Sequence, residues 1–547
     1  MLGKRKNKMN QNNNWKIYVP IAVGISLGLG YLIGVSTNGN SKNGTVATNQ
    51  GTSFNMLTEL LNYIDAEYVD EVSKDELINK TVVHLLQELD PHSYYITPEA
   101  FAEMNEPLEG NFDGIGIQFN IQNDTLVVID PIVSGPSEKV GIKAGDRIIK
   151  VGDSLIAGVG VRNRTVLKLL KGEKGTKVNV TIARRNSEEL QFTITRDKIP
   201  IHSVSAKYMI DSQTGYIKVD RFGANTTEEF LTGVARLKNE GAKKVIVDLR
   251  GNGGGYMNAA TNMLDAFFEK GELLVYTEGK ARPKSETLAQ NNPEFRDLNL
   301  VVLIDESSAS ASEIFAGAIQ DHDRGVIVGR RSFGKGLVQE QTMWPNGAAT
   351  RLTIARYYTP SGRCIQKPYT DGVKEYNEEY YHRYESGEML SKDSIEIVDS
   401  SAFRTDFGRV VYGSGGIIPD VFIPIDTTQG SSYINQLVYS GLVYDFAFQY
   451  VDSHRDELVA YGSPEKYISD FVISQNLIDQ LIAFADGKGV PFNEKGYARS
   501  KKLIIKRLKA YIARNVWSDE GFYPIWNSDD PTIKAAMNTD ISLFLNE

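Results

Sequence analysis

Ser308, Ser310 and Ser312 alternate with alanine in the run 305–341, DESSASASEIFAGAIQDHDRGVIVGRRSFGKGLVQEQ, and Lys335 stands between two glycines near its end. A serine hydroxyl becomes a useful nucleophile when a neighbouring base takes its proton. The apolar run 300–304 reads as a buried strand, and the small residues 307–312 lead into an apolar-periodic helix from Glu313. A strand that turns sharply into a helix lifts one side chain out of the sheet and aims helix N-terminal N–H groups at the same spot. Such groups can stabilise an oxyanion. The base is less obvious. Of the six histidines, His84, His92, His202, His322, His382 and His454, only His322 lies in this run, in a polar Asp-His-Asp turn that suits a buried base poorly. Lysine can take the role if burial lowers its pKa from ~10.4 towards roughly 7–8. Lys335 is the candidate, because Gly334 and Gly336 let the backbone bend tightly and be approached closely. The same residues also read as an exposed turn lysine and a set of helix-capping serines. Composition alone favours that plainer reading.

The order of the motifs changes the balance. SASASE, then a helix and a strand, then FGKGLVQ, resembles the C-terminal processing (tail-specific) peptidases, serine peptidases with a Ser–Lys pair. The resemblance runs over roughly residues 53–425. It implies Ser310 as nucleophile, Lys335 as general base and Gln339 as the residue that orients the lysine amine. Asp248-Leu249-Arg250-Gly251-Asn252-Gly253-Gly254-Gly255 is similar to the family's DLRxNxGG segment, which implies oxyanion N–H groups from Gly254 or Gly255 and from Ala311. A glycine turn after a strand also reads as a plain connector. A phosphate loop would need a G-K-[ST] ending, which is missing.

A length of 547 residues points to three or four domains at roughly 150 residues each. A net charge of −9 excludes general nucleic-acid binding. The single cysteine, Cys364, excludes an intrachain disulfide, and without HExxH or paired CxxC spacing no metal site or cofactor is expected. Residues 1–16 carry Lys4, Arg5, Lys6, Lys8 and Lys16 and no acid, and 17–35 carry no charge. At ~1.5 Å per residue that stretch reaches ~28 Å, close to a bilayer core of about 30 Å. Basic residues ahead of it favour a cytoplasmic N-terminus. The expectation is a single-pass inner-membrane protein with the catalytic part on the exported, periplasmic side. A cleaved signal peptide is the alternative, although no clear A-x-A site follows. Residues 36–52 read as a tether.

Residues 53–107 show helical periodicity broken at Asp90-Pro91-His92-Ser93. Here the resemblance makes His92 structural. Residues 108–198 look like a PDZ domain. Gly114, Ile115, Gly116 and Ile117 form a loop into an alternating strand, which would offer N–H groups to a substrate carboxylate and a strand edge to its backbone. Where the family has an arginine in an LLRG-type segment, this chain has Leu169-Leu170-Lys171-Gly172, which keeps the charge without the bidentate fork. Residues 199–425 alternate strands and helices, and 426–547 read as a helical extension with an apolar stripe through Ile504, Leu508 and Ile512. The expected fold is α/β (α+β) multidomain: a crotonase-like ββα peptidase core with a PDZ domain, helical segments at both ends and an N-terminal transmembrane helix.

These readings converge on a membrane-anchored serine endopeptidase that cuts exported proteins near their C-termini. Its partners would be proteins or peptides with free C-termini, and a homo-oligomer is compatible with the chain. A catalytically silent PDZ adaptor and a non-proteolytic carrier on the same core are the competing readings.

Overall fold

A computed structural model describes residues 51–184, 188–397 and 400–545. The apolar stretch 17–35 lies outside the described residues. Among the described residues no helix is long and apolar enough to cross a membrane. The chain divides into two units, 1–81 and 82–547. In the first, helix Gly51–Glu67 is followed by the start of helix Lys74–Gln87, and Lys74 donates to Asn62 at 2.9 Å and pairs with Asp65 at 3.3 Å. Leu57 and Leu60 lie on the first helix but stay exposed in this unit.

The centre of the second unit is a six-stranded sheet in the order Val204–Met209, Thr214–Val219, Lys244–Asp248, Asn299–Ile304, Gly325–Gly329, Val421–Phe422. All neighbours are parallel except the first pair. Near-continuous apolar runs such as VIVD and VVLI are what a parallel strand needs when both faces are covered. One face is covered by helices Thr226–Asn239, Met257–Leu264 and Ala311–Asp321. The other is covered by the end of the chain: Ile533, Ala536 and Ile541 pack on Tyr216, Ile246, Val301, Leu303, Val326 and Val328.

A second sheet has the ten-residue strand Ala349–Tyr358 as its spine. It pairs with Tyr94–Ile96, Leu273–Gly279 and Leu337–Met343. This pairing brings the segment around His92 to the strand that follows Lys335.

Between Asn111–Gly114 and Asp197–Pro200, which pair antiparallel, the chain leaves and returns at one stalk. The intervening residues form a five-strand path that starts at the edge strand Ile117–Gln122, over a core of Leu126, Val128, Ile148, Val166, Leu170, Val180 and Ile194. The back of this sheet rests on helix Leu442–Val459 of the extension: Arg147 pairs with Asp452 at 2.6 Å, and Gln122 donates to the Asp445 carbonyl at 3.1 Å. The extension therefore braces both parts of the unit. Within the extension Lys509 donates to the Ile468 carbonyl at 2.7 Å and the Arg507 guanidinium lies over the Trp526 ring.

Candidate active site

Three neighbouring parallel strands deliver the three parts of the site. Lys244–Asp248 runs into the glycine turn, Asn299–Ile304 into the serine turn, and Gly325–Gly329 into the loop that carries Lys335. Parallel strands open their carboxyl ends on one side of a sheet, which is where open α/β sheets hold ligands. A cavity of about 580 Å³ lies there, and its walls include Ser310, Lys335, Gln339, Gly254, Gly255 and Arg351.

Ser310 precedes helix Ala311–Asp321 with φ 56° and ψ −114°. A non-glycine residue in that region stores about 1–3 kcal/mol of strain and persists only where its surroundings hold it. A buried carboxylate does so. Glu313 accepts the Ser310 N–H at 2.7 Å, the Ser332 hydroxyl at 2.5 Å, the Gly334 N–H at 2.7 Å and the Lys335 N–H at 2.9 Å. Burial pushes its carboxyl up to about 7 despite these four donors. One side chain thus joins the nucleophile turn to the base loop. Tyr357 adds a second tie, its hydroxyl lying 3.0 Å from the Ser310 carbonyl and 2.5 Å from the Lys335 carbonyl.

The three serines separate by their partners. Ser308 donates to the Leu249 carbonyl at 2.9 Å and Ser312 to the Asn252 carbonyl at 2.8 Å, and both are fully buried. Ser310 is half-exposed on the cavity wall, and among the described residues its hydroxyl donates to no protein acceptor.

Close packing explains the glycines beside Lys335. A Cβ at Gly334 would stand 2.9 Å from the Gly415 carbonyl carbon, and one at Gly336 2.9 Å from the Gln366 nitrogen. The Lys335 amine donates to Gln339 Oε1 at 3.1 Å, and the Gln339 amide donates in turn to the His92 carbonyl. Burial lowers the pKa of the amine and the Arg351 guanidinium lowers it further, against the carboxylates of Glu313 and Asp90. The His92 ring meets the Tyr376 hydroxyl at 2.7 Å. Burial, then Lys335, pushes that imidazole down to about 4, so it is neutral at pH 7. His92 therefore serves the site through its main chain. Among the described residues no hydrogen bond joins the Ser310 hydroxyl to the Lys335 amine. Such contacts commonly tighten only when substrate is present.

The glycine turn resolves one ambiguity of the sequence. The Gly254 N–H is committed to Asn252 Oδ1 at 2.8 Å, which removes it as an oxyanion donor. Gly255 and Ala311 keep N–H groups with no protein acceptor among the described residues. Gly254 shapes the space between them instead. It has φ 100°, and a Cβ there would stand 2.8 Å from Ser310 Cβ and 3.0 Å from the Ala311 nitrogen.

Sequence reasoning passed over Glu313, Tyr357 and the His92 carbonyl. A signal existed for Glu313: Ser310-Ala311-Ser312-Glu313 has the S-x-x-E spacing in which the glutamate reaches back to the cap N–H. Glu313→Ala is expected to strand four donors and to cost about 3 kcal/mol or more of stability, read by denaturant melts, with cleavage lost. Because the raised carboxyl holds its proton more tightly in the folded state, its contribution is complete below about pH 4.5 and declines as pH rises through about 7. Glu313→Gln should flatten that slope.

At the other predicted site, Gly114 ends its strand, and Ile117 starts the edge strand. The Ile115 carbonyl accepts the Ser137 N–H and hydroxyl, and the Gly116 carbonyl accepts the Ile132 N–H at 3.0 Å. No hydrogen bond among the described residues uses the N–H of Ile115 or Gly116. Gly116 has φ 70°, and a Cβ there would stand 2.9 Å from Ile199 Cδ1.

The profile of peptidase family S41 matches residues 213–375, that of the PDZ domain 114–195, and that of a family of unknown function 433–519. The carboxy-terminal processing protease CtpA of Bacillus subtilis is 32% identical over 322 residues, which is 59% of this chain and 68% of that one. The chain belongs to the carboxy-terminal processing proteases. A probable CtpA-like serine protease of Staphylococcus aureus is 33% identical over 325 residues, 59% of this chain and 64% of that one. Alignments with these two relatives thus span about two thirds of their length. Among solved structures, the photosystem II D1 C-terminal processing protease shares 26% identity over 68% of this chain and 87% of its own, with a TM-score of 0.36. In this carboxy-terminal processing protease Lys171 pairs with Glu106 and lies 4.9 Å from the Phe112 ring centroid. Glu106 belongs to helix Pro98–Glu109, whose Asn105 lines the active-site cavity.

Proposed function

We propose that this chain is a serine endopeptidase that cuts exported proteins near their C-termini, with Ser310 and Lys335 as its catalytic pair. One observation carries the reading: a serine on a strained strand-to-helix turn, its hydroxyl donated to no protein group, shares a cavity with a lysine whose amine rests on a neutral amide. Ser310 Oγ attacks the scissile carbonyl carbon while neutral Lys335 takes the hydroxyl proton. The carbonyl oxygen, now an oxyanion, receives the N–H groups of Gly255 and Ala311. Lys335 then protonates the leaving amine, the C–N bond breaks, and an acyl-serine remains. Lys335 then deprotonates a water that attacks the acyl carbon, the ester bond to Ser310 breaks, and the proton returns from Lys335 to Ser310 Oγ as the new C-terminus leaves. Gln339 keeps the amine aimed between these transfers.

In this reading the loop 114–117 reads the substrate's terminal carboxylate, and the edge strand 117–122 takes its backbone. The uncharged stretch 17–35 and the five cations before it support an anchored enzyme with an exported catalytic part. The test uses the full chain and a pair of peptides that differ only in a free or an amidated C-terminus. The free acid is expected to bind at least ~10-fold tighter, because a charged acceptor gains more from paired N–H groups than a neutral amide does. It should also be cut faster. Equal binding by calorimetry would remove the loop as a tail reader, and tight binding without any cleavage would favour the silent adaptor.

A further inference from the structure

Gln339 and Gln341 are two apart on strand Leu337–Met343, so their side chains share a face of the ribbon it forms with Ala349–Tyr358. Across the ribbon Gln339 faces Thr353 and Gln341 faces Arg351. Each glutamine holds a basic side chain: Gln339 Oε1 accepts the Lys335 amine at 3.1 Å, and Gln341 Oε1 accepts Arg351 Nε at 3.1 Å. Same-face neighbours on a strand lie about 7 Å apart. Both basic side chains also line the cavity that holds Ser310. The other two partners of Arg351 are the Tyr94 hydroxyl at 2.6 Å and Asn105 Oδ1 at 2.7 Å. Among the described residues Arg351 forms no ion pair with a carboxylate. Neutral acceptors fix a guanidinium without cancelling its charge.

Resting on the Ser310–Lys335 reading above, we infer that Arg351 is a positioning residue that keeps the Lys335 amine neutral by placing an uncompensated cation on the same cavity wall. The remaining groups around Lys335 do not do this. Glu313 on the nucleophile helix and Asp90 ahead of strand Tyr94–Ile96 favour the charged amine. Glu340, on the strand that follows, is paired with Arg282 at 2.6 Å, and Lys367 behind the loop is paired with Glu379 at 2.6 Å. The His92 ring and Tyr357 are neutral around pH 7. Arg351 is the fixed positive charge of the wall, and arginine cannot lose its proton to relieve the repulsion.

The experiment compares pH profiles of kcat/KM for the full chain carrying Arg351→Gln or Arg351→Lys. With Arg351→Gln the acid limb should move to higher pH, so that activity on that limb falls about tenfold while the alkaline plateau stays close to wild type. Arg351→Lys should restore the limb. A profile lowered equally at every pH, or no rescue by lysine, would overturn the inference. Asn105→Ala loosens the guanidinium but keeps its charge. It should leave the limb in place, and it decides the matter should Arg351→Gln fail to fold: a limb displaced in Asn105→Ala counts against a charge effect. Peptide cleavage as fast in Ser310→Ala as in the wild type would instead remove the underlying Ser–Lys reading.

Discussion

Ser310→Ala is expected to abolish peptide cleavage, by on the order of 10⁴-fold or more, and to leave the fold and tail binding intact. Loss of an attacking serine removes the covalent route altogether, which costs about as much as removing nucleophile, base and orienting group together. The structure keeps the stability cost small. The Ser310 N–H to Glu313 bond survives the change, and the lost hydroxyl donates to no protein acceptor among the described residues. The thermal midpoint should therefore move by no more than about 1 kcal/mol allows. Its neighbours supply the contrast. Ser308→Ala and Ser312→Ala each remove a buried hydroxyl donor, at 2.9 Å and 2.8 Å, from a carbonyl that keeps a backbone N–H, and should lose about 1 kcal/mol of stability while cleavage continues. Cleavage at the wild-type rate in Ser310→Ala would refute the nucleophile assignment and turn attention to these two.

That contrast also marks how much was legible in the chain. A serine turn between a buried strand and a helix is a local pattern, so small-residue spacing and hydrophobic periodicity were enough to find it. The glycines around Lys335 were equally visible, although their reason was not: it lies in the approach of Gln366 and Gly415, distant in sequence. Gly254 and Gly255 differ through one side chain, since Asn252 Oδ1 takes the first N–H. Motif spacing cannot show which of two adjacent amides is already engaged. Glu313 was hidden by a plausible local role. Its carboxylate does what a capping glutamate does, yet it also gathers Ser332, Gly334 and Lys335 from the next strand's loop. The helical extension read correctly as helix, but its partners did not follow from an apolar stripe. Ile533 and Ala536 cover the core sheet, and Asp452 holds Arg147 on the sheet that begins at Ile117–Gln122.

Lys335→Arg is expected to be as inactive as Lys335→Ala, because a guanidinium keeps its proton at any working pH. An exposed lysine would be almost wholly charged at pH 7. Here burial, and then Arg351, lower the amine's pKa from its ordinary value of 10.5. Two consequences follow with definite sign. Wild-type activity should fall as pH drops through the folded-state pKa, since the base is being protonated. Stability moves in the same direction: the unfolded chain binds the proton more readily than the folded one, so the lysine's contribution is present above about 10.5 and is lost as pH falls from there towards the depressed value. Glu313 titrates close by, at about 7, and its ionised form favours the charged amine, so the acid limb belongs to the pair rather than to either residue. Glu313 and Lys335 also contribute slopes of opposite sign to stability. Melts of wild type and Lys335→Ala across pH 5–10 separate them, because only the slope that rises with pH should vanish in the variant. Measured cleavage by Lys335→Arg at a tenth of the wild-type rate or better would exclude a neutral amine at this position. A base would then have to be sought elsewhere on the cavity wall.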